Sequence, residues 1–360
     1  MAKLPPPFAI KLVQWSWVRL QGIADKLMPP PVRVMLLAGG VMKAFSLSAA
    51  ARLGIADLLA SGPMSVADLA KATSTDADPL YRLMRALAGE GIFRELDGRR
   101  FETTPMGRAL EADSETSVRP LLLLASDETW IQAWKALPHS LRTGETAFDH
   151  AFGQGYFDYL AAHPEAGELF NSWMTRAAEL NRPAIEGMFA ALQTGRVVDV
   201  GGGQGSLINT VLSANRDLTG VLFDRPEVVA TAHLDEGIAG RCEIVGGSFF
   251  ESVPGGGDVY VLQQIIHDWG DDECLEILRH CREAMNDGGR LFIIDAVIGE
   301  ANEPDFNKFI DLHMLVLNRG GRERTAAEFR DLVSRAGFSV TRILPTPSPF
   351  HLIEAEKRAD

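Results

Sequence analysis

The sequence has few cysteines and no excess of positive charge. Its 360 residues include three cysteines, Cys242, Cys274 and Cys281, with no C-x-x-C pair and no spacing typical of a zinc site. Such an odd, sparse set fits a reducing compartment in which disulfides do not form. Lysine and arginine together number 35 against 48 aspartates and glutamates, which gives a net charge of -13. Binding of nucleic acid normally requires a basic surface, so these counts argue against such a partner.

Long uninterrupted apolar runs are also lacking. Prolines, lysines and an arginine interrupt the apolar residues of the first twenty positions, so no signal peptide is predicted, and no stretch is expected to span a membrane. The segment Phe8 to Leu27 is interpreted either as a basic amphipathic helix that touches a membrane or as an arm that packs on a partner subunit. The second interpretation is favoured. We therefore expect a cytoplasmic protein without stable membrane association.

The length and composition are those of a globular protein with two cores. Hydrophobic residues make up 46% and charged residues 23% of the chain, and 360 residues exceed the usual size of one domain. We expect an N-terminal domain at residues 1–115, a helical segment at 116–192 and a catalytic domain at 193–360.

The first of these parts shows the element order of a winged helix. Apolar spacing predicts a helix over Phe45 to Leu59, Ser65 starts a second with a capping-box pattern, and Pro79 opens a third. Asp97-Gly98 then separates two strand-like runs, at residues 92–96 and 99–103, as in a two-residue hairpin. The third helix starts TDADPLYRLMR, whose aspartates would repel phosphate, so dimerisation is favoured over DNA binding.

The segment from about Leu121 to Leu192 is again predicted to be helical. It is rich in aromatic residues, most of which are expected in a core or an interface, and some at a pocket for a flat ligand.

From Arg196 onward short apolar runs alternate with helical stretches. This alternation predicts a doubly wound, mostly parallel sheet. The predicted strands include Val197–Val200, Gly220–Phe223, Glu243–Val245, Val259–Leu262 and Leu291–Ile294.

The most informative segment is VVDVGGGQGSL, where a strand runs into a glycine-rich loop. Gly201, Gly203 and Gly205 permit a sharp turn and close approach of a ligand, and the next strand ends at Asp224, where a carboxylate can accept both hydroxyls of a ribose. The loop lacks the final glycine of G-x-G-x-x-G, the pattern that cradles a pyrophosphate. Asp199 can order the turn or meet an ammonium group. The pattern therefore favours S-adenosylmethionine over NAD.

Six motifs together resemble the class I S-adenosylmethionine-dependent O-methyltransferases that act on small molecules, including plant caffeic acid and acetylserotonin enzymes and bacterial polyketide and carotenoid relatives. The motifs are VVDVGGGQGSL, LFDRPEVV, VGGSFF, IIHDWGDDECLEIL, DGGRLFIIDAVI and GGRERTAAEFRDLVSRAGF. The resemblance runs from about Val41 to Glu356. It implies a Rossmann-like catalytic domain, an N-terminal winged-helix domain that forms a homodimer, and conversion of S-adenosylmethionine to S-adenosylhomocysteine.

The resemblance also implies which residues bind the cofactor. Ser248 stands where the family usually has an acidic residue near the adenine, and Gln263 where plant members often have lysine, so both are departures. The implied cofactor-binding set is Asp199, Gly201, Gly203, Gly205, Asp224, Arg225, Ser248, Phe249 and Gln263.

By the same resemblance, His267 is the family's general base, flanked by Asp295 and Glu323. A histidine with a pKa near 6.5 can take a proton from a phenol with a pKa near 10, and family members usually have glutamate at the position of Asp295. From the residues alone, His267 could instead cap a turn, or join Asp268, Asp271 and Asp272 in a metal site. The aspartates are better explained as charge on the first turn of a helix, so no metal is predicted.

The resemblance places further residues around the methyl acceptor. Methionine and phenylalanine suit a flat aromatic molecule, although core packing explains each of them equally well. The implied set is Phe170, Met174, Asp268, Met314 and Asn318.

The leading hypothesis is methyl transfer to a hydroxyl of an aromatic or polyketide-like small molecule. A nitrogen or carbon acceptor, or another reaction on the same scaffold, is the first alternative. A cofactor-sensing, DNA-binding regulator is the second, and nicotinamide-dependent reduction is a remote one.

Overall fold

The computed structural model describes residues 27–114, 116–189, 194–346 and 348–358, together with residues 16 and 192. The predicted arm from Phe8 to Leu27 therefore lies outside the described residues except at Ser16 and Leu27. The described chain forms two compact units. The N-terminal unit contains the described chain from Leu27 to Gln132 together with His163–Arg176, and the C-terminal unit contains Ala133–Ala162 and the chain from Ala177 onward.

Helices and a small sheet form the N-terminal unit. The helices are α1 (Pro30–Ala38), α2 (Gly40–Arg52), α3 (Ile55–Leu59), α4 (Val66–Thr73), α5 (Ala77–Gly89) and α6 (Arg119–Leu124), and α7 (Glu128–Lys135) crosses into the other unit. The strands β1 (Met64–Ser65), β2 (Phe93–Leu96) and β3 (Arg100–Thr103) pair antiparallel in the order β1-β3-β2.

The helix boundaries differ from the sequence expectation in two places. The helix predicted over residues 45–59 is broken, because Gly54 adopts a left-handed φ of 64° between α2 and α3. Helix α5 begins two residues before Pro79, since Asp76 accepts a hydrogen bond from the backbone of Asp78 and caps it. The cap of α4 is confirmed, with Ser65 Oγ accepting from Asp68 N at 3.1 Å.

The predicted hairpin is present with a longer turn. Leu96 pairs with Arg100, and both Gly98 (φ 75°) and Arg99 (φ 53°) are left-handed, so three residues connect the strands instead of two. Helices and hairpin enclose a core that includes Ile55, Leu69 and Phe101. The predicted order of helices followed by a hairpin is confirmed.

Helices α1 and α2 expose much apolar surface. Pro30–Arg52 is long and apolar enough to cross a membrane, and 17% of its most apolar window is buried. This corrects the expectation that no stretch reaches such a length; the glycine pair at residues 39–40 and Lys43 interrupt its pattern. Val34, Met35 and Leu37 are each more than half exposed. Such a face requires a cover.

The C-terminal unit is built on one large sheet. Its helices are α8 (Leu137–Thr143), α9 (Ala147–Phe152), α10 (Tyr156–Ala162), the C-terminal part of α11 (Pro164–Phe189), α12 (Ser206–Ala214), α13 (Pro226–Val229), α14 (Asp271–Ala284), α15 (Asn307–Leu317) and α16 (Ala326–Arg335). Its strands are β4 (Gly195–Val200), β5 (Leu218–Asp224), β6 (Cys242–Gly246), β7 (Gly257–Gln263), β8 (Met285–Ile298), β9 (Arg324–Thr325), β10 (Phe338–Pro345) and β11 (Phe350–Lys357).

The strand order is β10-β11-β8-β7-β4-β5-β6, and β9 pairs with β8. The strands from β8 to β6 are parallel, whereas β10 and β11 are antiparallel. A Rossmann-like sheet is thereby confirmed, and each strand predicted after Arg196 falls within an observed one. From β4 the chain goes first to β5 and β6 on one side and then to β7 and β8 on the other. Ligands bind where a parallel sheet reverses in this way, at the carboxyl ends of its strands.

Side chains from both faces of the sheet are buried. Val198 and Tyr260 belong to one apolar cluster, and their neighbours Val197 and Val259 belong to the other. Successive residues of a strand point to opposite faces, so a strand covered on both sides needs an unbroken apolar run. The rigid double-sided core fixes the edge at which the site residues lie.

Candidate active site

The glycine-rich loop leaves β4 and turns directly into α12. Gly201, Gly203 and Gly205 have left-handed φ angles of 72°, 59° and 94°. The backbone N–H groups of Gly201 and Gly202 donate to the carbonyl of Phe223 on the neighbouring strand, at 2.8 and 3.1 Å. A Cβ on Gly202 would lie 2.5 Å from Leu222 and 2.6 Å from Asp199, whereas one on Gly203 would meet no heavy atom within 4 Å. The loop therefore rests tightly on the sheet and is open at Gly203.

Asp224 joins this loop to the end of β5. Its Oδ2 accepts from Gly203 N at 2.8 Å, and its Oδ1 accepts from Arg225 N at 2.7 Å. Burial raises the pKa of the Asp224 carboxyl, against the lowering effect of these two hydrogen bonds. Each carboxylate oxygen has a second lone pair. Asp224 can therefore hold the loop and still accept hydroxyl groups of a ribose.

Other predicted cofactor residues lie along the same edge. Asp199 is buried in β4, and burial, with the nearby Asp224 charge, raises its pKa to about 8. Ser248 and Phe249 follow β6; the Ser248 hydroxyl accepts from Phe250 N at 3.3 Å, and the Phe249 ring is perpendicular to that of Trp269.

Gln263 and Arg225 complete that set. Gln263 ends β7, and its buried Nε2 has no hydrogen-bond partner among the described residues, so a ligand can supply one. Arg225 instead pairs with Glu227 at 3.0 Å on the surface. The open Gly203, the carboxylate of Asp224 and the amide of Gln263 suit the uncharged ribose and polar ends of S-adenosylmethionine.

Three elements bring His267 to its carboxylate partners. His267 lies in a short 3-10 turn, Ile266–Asp268, just beyond β7, and Asp295 lies on the adjacent strand β8. Strand β9 runs parallel to β8 with Arg324 opposite Val297, which puts the preceding residue, Glu323, beside the same edge. Glu323 is 56 positions from His267, and the register of β9 on β8 brings the two residues to the same edge.

The geometry around the imidazole is that of a histidine held by one short hydrogen bond. His267 Nδ1 donates to Glu323 Oε1 at 2.8 Å and lies 3.7 Å from Asp295 Oδ1. On the other side of the ring, Nε2 lies 3.6 Å from Asp268 Oδ1. All three predicted catalytic residues are buried, with Asp295 fully inaccessible. The shorter reach of aspartate leaves the Asp295 carboxyl without a hydrogen bond in the described part of the chain.

Burial and neighbouring charges shift the pKa values of this cluster in opposite directions. Burial lowers the pKa of His267, but Glu323, Asp295 and Asp268 outweigh it and raise that pKa to about 10. Burial raises the pKa of Asp295 to about 8 and that of Asp268 to about 6, against the lowering effect of His267. These shifts favour the imidazolium form of His267, paired with Glu323, at neutral pH.

The predicted acceptor-binding residues fall into two groups. Asn318 Nδ2 donates to Asp268 Oδ1 at 2.5 Å and contacts Met314 Sδ at 3.6 Å, so these three residues lie together beside His267. The buried Asn318 Oδ1 accepts no hydrogen bond among the described residues. Phe170 and Met174 lie on the part of α11 that belongs to the N-terminal unit, and both are partly exposed.

Two residues that were not predicted as site residues, His313 and Arg324, also lie near His267. His313 of α15 accepts from Trp134 Nε1 at 3.0 Å, and its ring stacks on the indole. Burial, together with the charge of His267, lowers the pKa of His313 to about 4. Arg324 is the largest fully buried side chain and contacts the turn that carries His267. No local pattern distinguishes such a histidine or arginine from a surface residue.

Among the described residues, no group of three or more histidine, cysteine and acidic side chains is arranged to hold a metal ion. Three features lie at the carboxyl edge of one parallel sheet. They are a glycine loop without a phosphate cradle, a carboxylate of the kind that accepts ribose hydroxyls, and a histidine–glutamate pair. This combination defines a methyltransferase that uses S-adenosylmethionine.

Comparisons with known proteins specify the family. The sequence model of the O-methyltransferase domain matches residues 134–339, and that of the O-methyltransferase dimerisation domain matches residues 35–113. The chain belongs to the O-methyltransferase family. The resemblance inferred from the six motifs is confirmed.

Similar proteins act in bacterial secondary metabolism. The chain is 41% identical to the phenazine O-methyltransferase PhzM of Lysobacter antibioticus over 86% of this chain and 91% of that one. It is 38% identical to the 8-amino-8-demethylriboflavin N,N-dimethyltransferase of Streptomyces davaonensis, over 88% of this chain and 92% of that one. The solved structure of CalO1, a methyltransferase in calicheamicin biosynthesis with bound S-adenosylhomocysteine, is 37% identical, with a TM-score of 0.81 over 92% of this chain and all of that one.

Proposed function

We propose that this enzyme transfers the methyl group of S-adenosylmethionine to a hydroxyl of an aromatic or polyketide-like small molecule, with His267 as general base. The observation that carries the proposal is the 2.8 Å hydrogen bond from His267 Nδ1 to Glu323. Because that bond keeps the proton on Nδ1, Nε2 of the neutral ring is unprotonated and can accept a proton.

The base is strong but scarce at neutral pH. With a pKa of about 10, only a small fraction of the His267 rings is neutral at pH 7. A neutral ring takes the hydroxyl proton at Nε2, and the resulting imidazolium is stabilised by Glu323 and Asp268. The acceptor oxygen then carries the negative charge that it needs to displace a sulfide. The rate should therefore rise with pH above neutrality.

The cofactor supplies a methyl group on a cationic sulfur. Gly201, Gly203 and Gly205 are proposed to lie against its methionine part, and Asp224 to accept its ribose hydroxyls. Ser248, Phe249 and Gln263 are proposed around the adenine. Ser248 offers an uncharged hydrogen bond where an acidic residue would offer a charge-assisted one, so adenine recognition depends more on Phe249 stacking and on Asp224.

The acceptor is proposed to be held by Asp268, Met314 and Asn318 beside His267. For Phe170 and Met174, which lie on α11 in the N-terminal unit, the role stays a prediction from the family resemblance. Relatives named for phenazine, 3-amino-4-hydroxybenzoate and naphthoate acceptors all act on flat aromatic molecules. The N,N-dimethyltransferase relative supports a second candidate, transfer to an aromatic amine. Such an acceptor needs no general base before attack, so dependence on His267 distinguishes the two candidates.

The apolar face of α1 and α2 is proposed to be covered in a homodimer. The dimerisation-domain model covers most of this face, and Val41 and Met42 on it are each more than half exposed. The cytoplasmic location expected from the sparse cysteines is part of the same proposal.

A panel of acceptors tests the function. Purified protein is incubated with trideuteromethyl-labelled cofactor and 1-hydroxyphenazine, 3-amino-4-hydroxybenzoate, 2,7-dihydroxy-1-naphthoate and a matching aromatic amine. Mass spectrometry and NMR of the products should locate the label on a phenolic oxygen. Label on nitrogen only would replace the leading function with the second. Cofactor binding without transfer to any member would count against both.

A further inference from the structure

Arg324 is an arginine with almost no exposed surface in a protein whose other arginines lie mostly outside. Its side chain is 2% exposed and pairs with Asp271, Nη2 to Oδ1 at 2.7 Å and Nε to the same oxygen at 3.1 Å. Desolvating a guanidinium is costly unless each N–H finds an acceptor. The remaining acceptors of Arg324 therefore indicate which part of the protein its guanidinium group stabilises.

The two closest of those acceptors are backbone carbonyls on both sides of His267, and longer contacts reach the carbonyl of Arg322 at 3.5 Å and Sγ of Cys274 at 3.6 Å. Nη1 donates to the carbonyl of Ile266 at 2.9 Å, and Nη2 donates to the carbonyl of Trp269 at 3.1 Å. The carbonyl of His267 itself accepts from the backbone of Arg322 at 2.8 Å. Three carbonyls of one irregular turn are thus held by residues of one other segment, in which Glu323 lies between Arg322 and Arg324.

This arrangement links the position of the Ile266–Asp268 turn to the position of the Glu323 carboxylate. A 3-10 turn leaves its carbonyls without the regular partners of a long helix, so the turn keeps its shape only if other groups hold it. Glu323 lies between Arg322 and Arg324 on the same extended segment. Fixing that segment to residues 266–269 also fixes the His267–Glu323 distance. A lysine could not replace this fork, because a single ammonium cannot reach Asp271 and two separate carbonyls in one plane.

We infer that Arg324 is a positioning residue, which holds the His267 turn against Glu323 and so keeps Nδ1 of His267 bonded to that carboxylate. The inference rests on the proposed role of His267 as general base. Asp271 has a supporting part, since it carries the counter-charge and begins α14. Arg335 provides a matched control, because it lies 3.6 Å from the same Asp271 but is 45% exposed.

The first test is a double-mutant cycle on the full-length enzyme. The variants are Arg324→Met, Arg324→Lys, Arg335→Gln and His267→Ala, assayed with the phenol of the panel that wild type methylates fastest. Displacement of a catalytic group by about 1 Å can cost ~100-fold in rate, so Arg324→Met should lower kcat at least about tenfold and leave the dissociation constant of S-adenosylhomocysteine within about twofold. Arg324→Lys should recover little, and Arg335→Gln should match wild type.

The decisive comparison is in the His267→Ala background. If Arg324 acts through His267, adding Arg324→Met to His267→Ala should produce no further loss. Losses that multiply would overturn the inference, since they would show a structural role independent of the histidine. If His267→Ala is slow, an unchanged kcat in a folded Arg324→Met variant would overturn it as well.

A second readout separates this inference from the proposed function. The Nδ1 proton in the 2.8 Å His267–Glu323 hydrogen bond should give a low-field NMR resonance, assigned by its loss in His267→Ala. Arg324→Met should abolish or broaden it, and Arg335→Gln should preserve it. If His267→Ala methylates at the wild-type rate while Arg324→Met still abolishes the resonance, the base is wrong and the positioning role stands. An intact resonance in Arg324→Met would remove the positioning role.

A milder variant tests the same role if Arg324→Met does not fold. Asp271→Asn removes the charge of the half-exposed partner of Arg324 and leaves the buried arginine in place. It should weaken the resonance and lower kcat about threefold or more, because the two hydrogen bonds from Arg324 to Oδ1 lose their charge assistance. An unchanged resonance with unchanged kcat would contradict the inference.

Discussion

Replacement of Glu323 by glutamine tests how the carboxylate acts on His267. The change removes the charge that lies 2.8 Å from Nδ1 and keeps the size of the side chain. A hydrogen bond to a charged group contributes about 1.5–3 kcal/mol, and one pKa unit corresponds to about 1.36 kcal/mol. The apparent pKa of the general base, about 10 in the wild-type protein, should therefore fall by about one to two units.

The consequence is a change in the shape of the pH–rate profile. Below its pKa the weaker base is neutral in a larger fraction of molecules, which compensates for its lower basicity. Above about pH 10 both bases are mostly neutral and the wild-type base is the stronger one, so the variant should be several-fold to about tenfold slower there. The two profiles should converge near neutrality and diverge in alkali.

Single-turnover methylation between about pH 6.5 and 10.5 measures both profiles across the range in which the base titrates, with Glu356→Gln, an exposed glutamate of β11, as the control. A Glu323→Gln profile with the wild-type midpoint and only a lower amplitude would refute the electrostatic reasoning. It would leave Glu323 with an orienting role alone.

Three further predictions concern the cofactor site and stability. Asp224→Asn should weaken S-adenosylhomocysteine binding by calorimetry about 10- to 100-fold, because about 1.5–3 kcal/mol of charge-assisted bonding is lost; an unchanged affinity would remove Asp224 from the site. Gly202→Ala should weaken binding similarly, since the added Cβ would lie 2.5 Å from Leu222, whereas Gly240→Ala, whose Cβ meets nothing within 4 Å, should bind normally. The melting temperature of the free protein should fall as pH rises from about 5 through 8. Over that window the folded protein keeps a proton on Asp199, whose folded pKa is about 8, and the unfolded chain, with an ordinary pKa of ~3.9, does not. Asp199→Asn should flatten this slope, and an unchanged slope would contradict the assignment.

The sequence was most informative about the parallel strands. A strand buried on both faces must be apolar at every position, so runs such as Val197–Val200 identify themselves. The antiparallel strands β10 and β11 were not predicted, because Phe338–Pro345 and Phe350–Lys357 mix charged and apolar residues. The break at Gly54 was missed for a different reason: apolar spacing continues through the turn, and only the left-handed glycine ends the helix.

Within the site, contacts between residues close in the sequence could be predicted, and contacts between residues far apart in the sequence could not. The glycine loop and Asp224 follow from local spacing on two adjacent strands. The Glu323 contact depends on the register of β9 against β8, and only the family resemblance pointed to it beforehand. The hydrogen bonds from Arg324 to the carbonyls of Ile266 and Trp269 could not be predicted, because every residue type has a backbone carbonyl and the sequence does not show which of them accept.

Single-turnover methylation of one panel phenol by wild type and by His267→Ala tests the central claim most directly, with the protein saturated by labelled S-adenosylmethionine. We predict label on the phenolic oxygen and a rate for His267→Ala that is lower by about 10²–10⁴-fold, with cofactor affinity unchanged. Transfer by His267→Ala at the wild-type rate would contradict general-base catalysis and leave His267 as part of the fold.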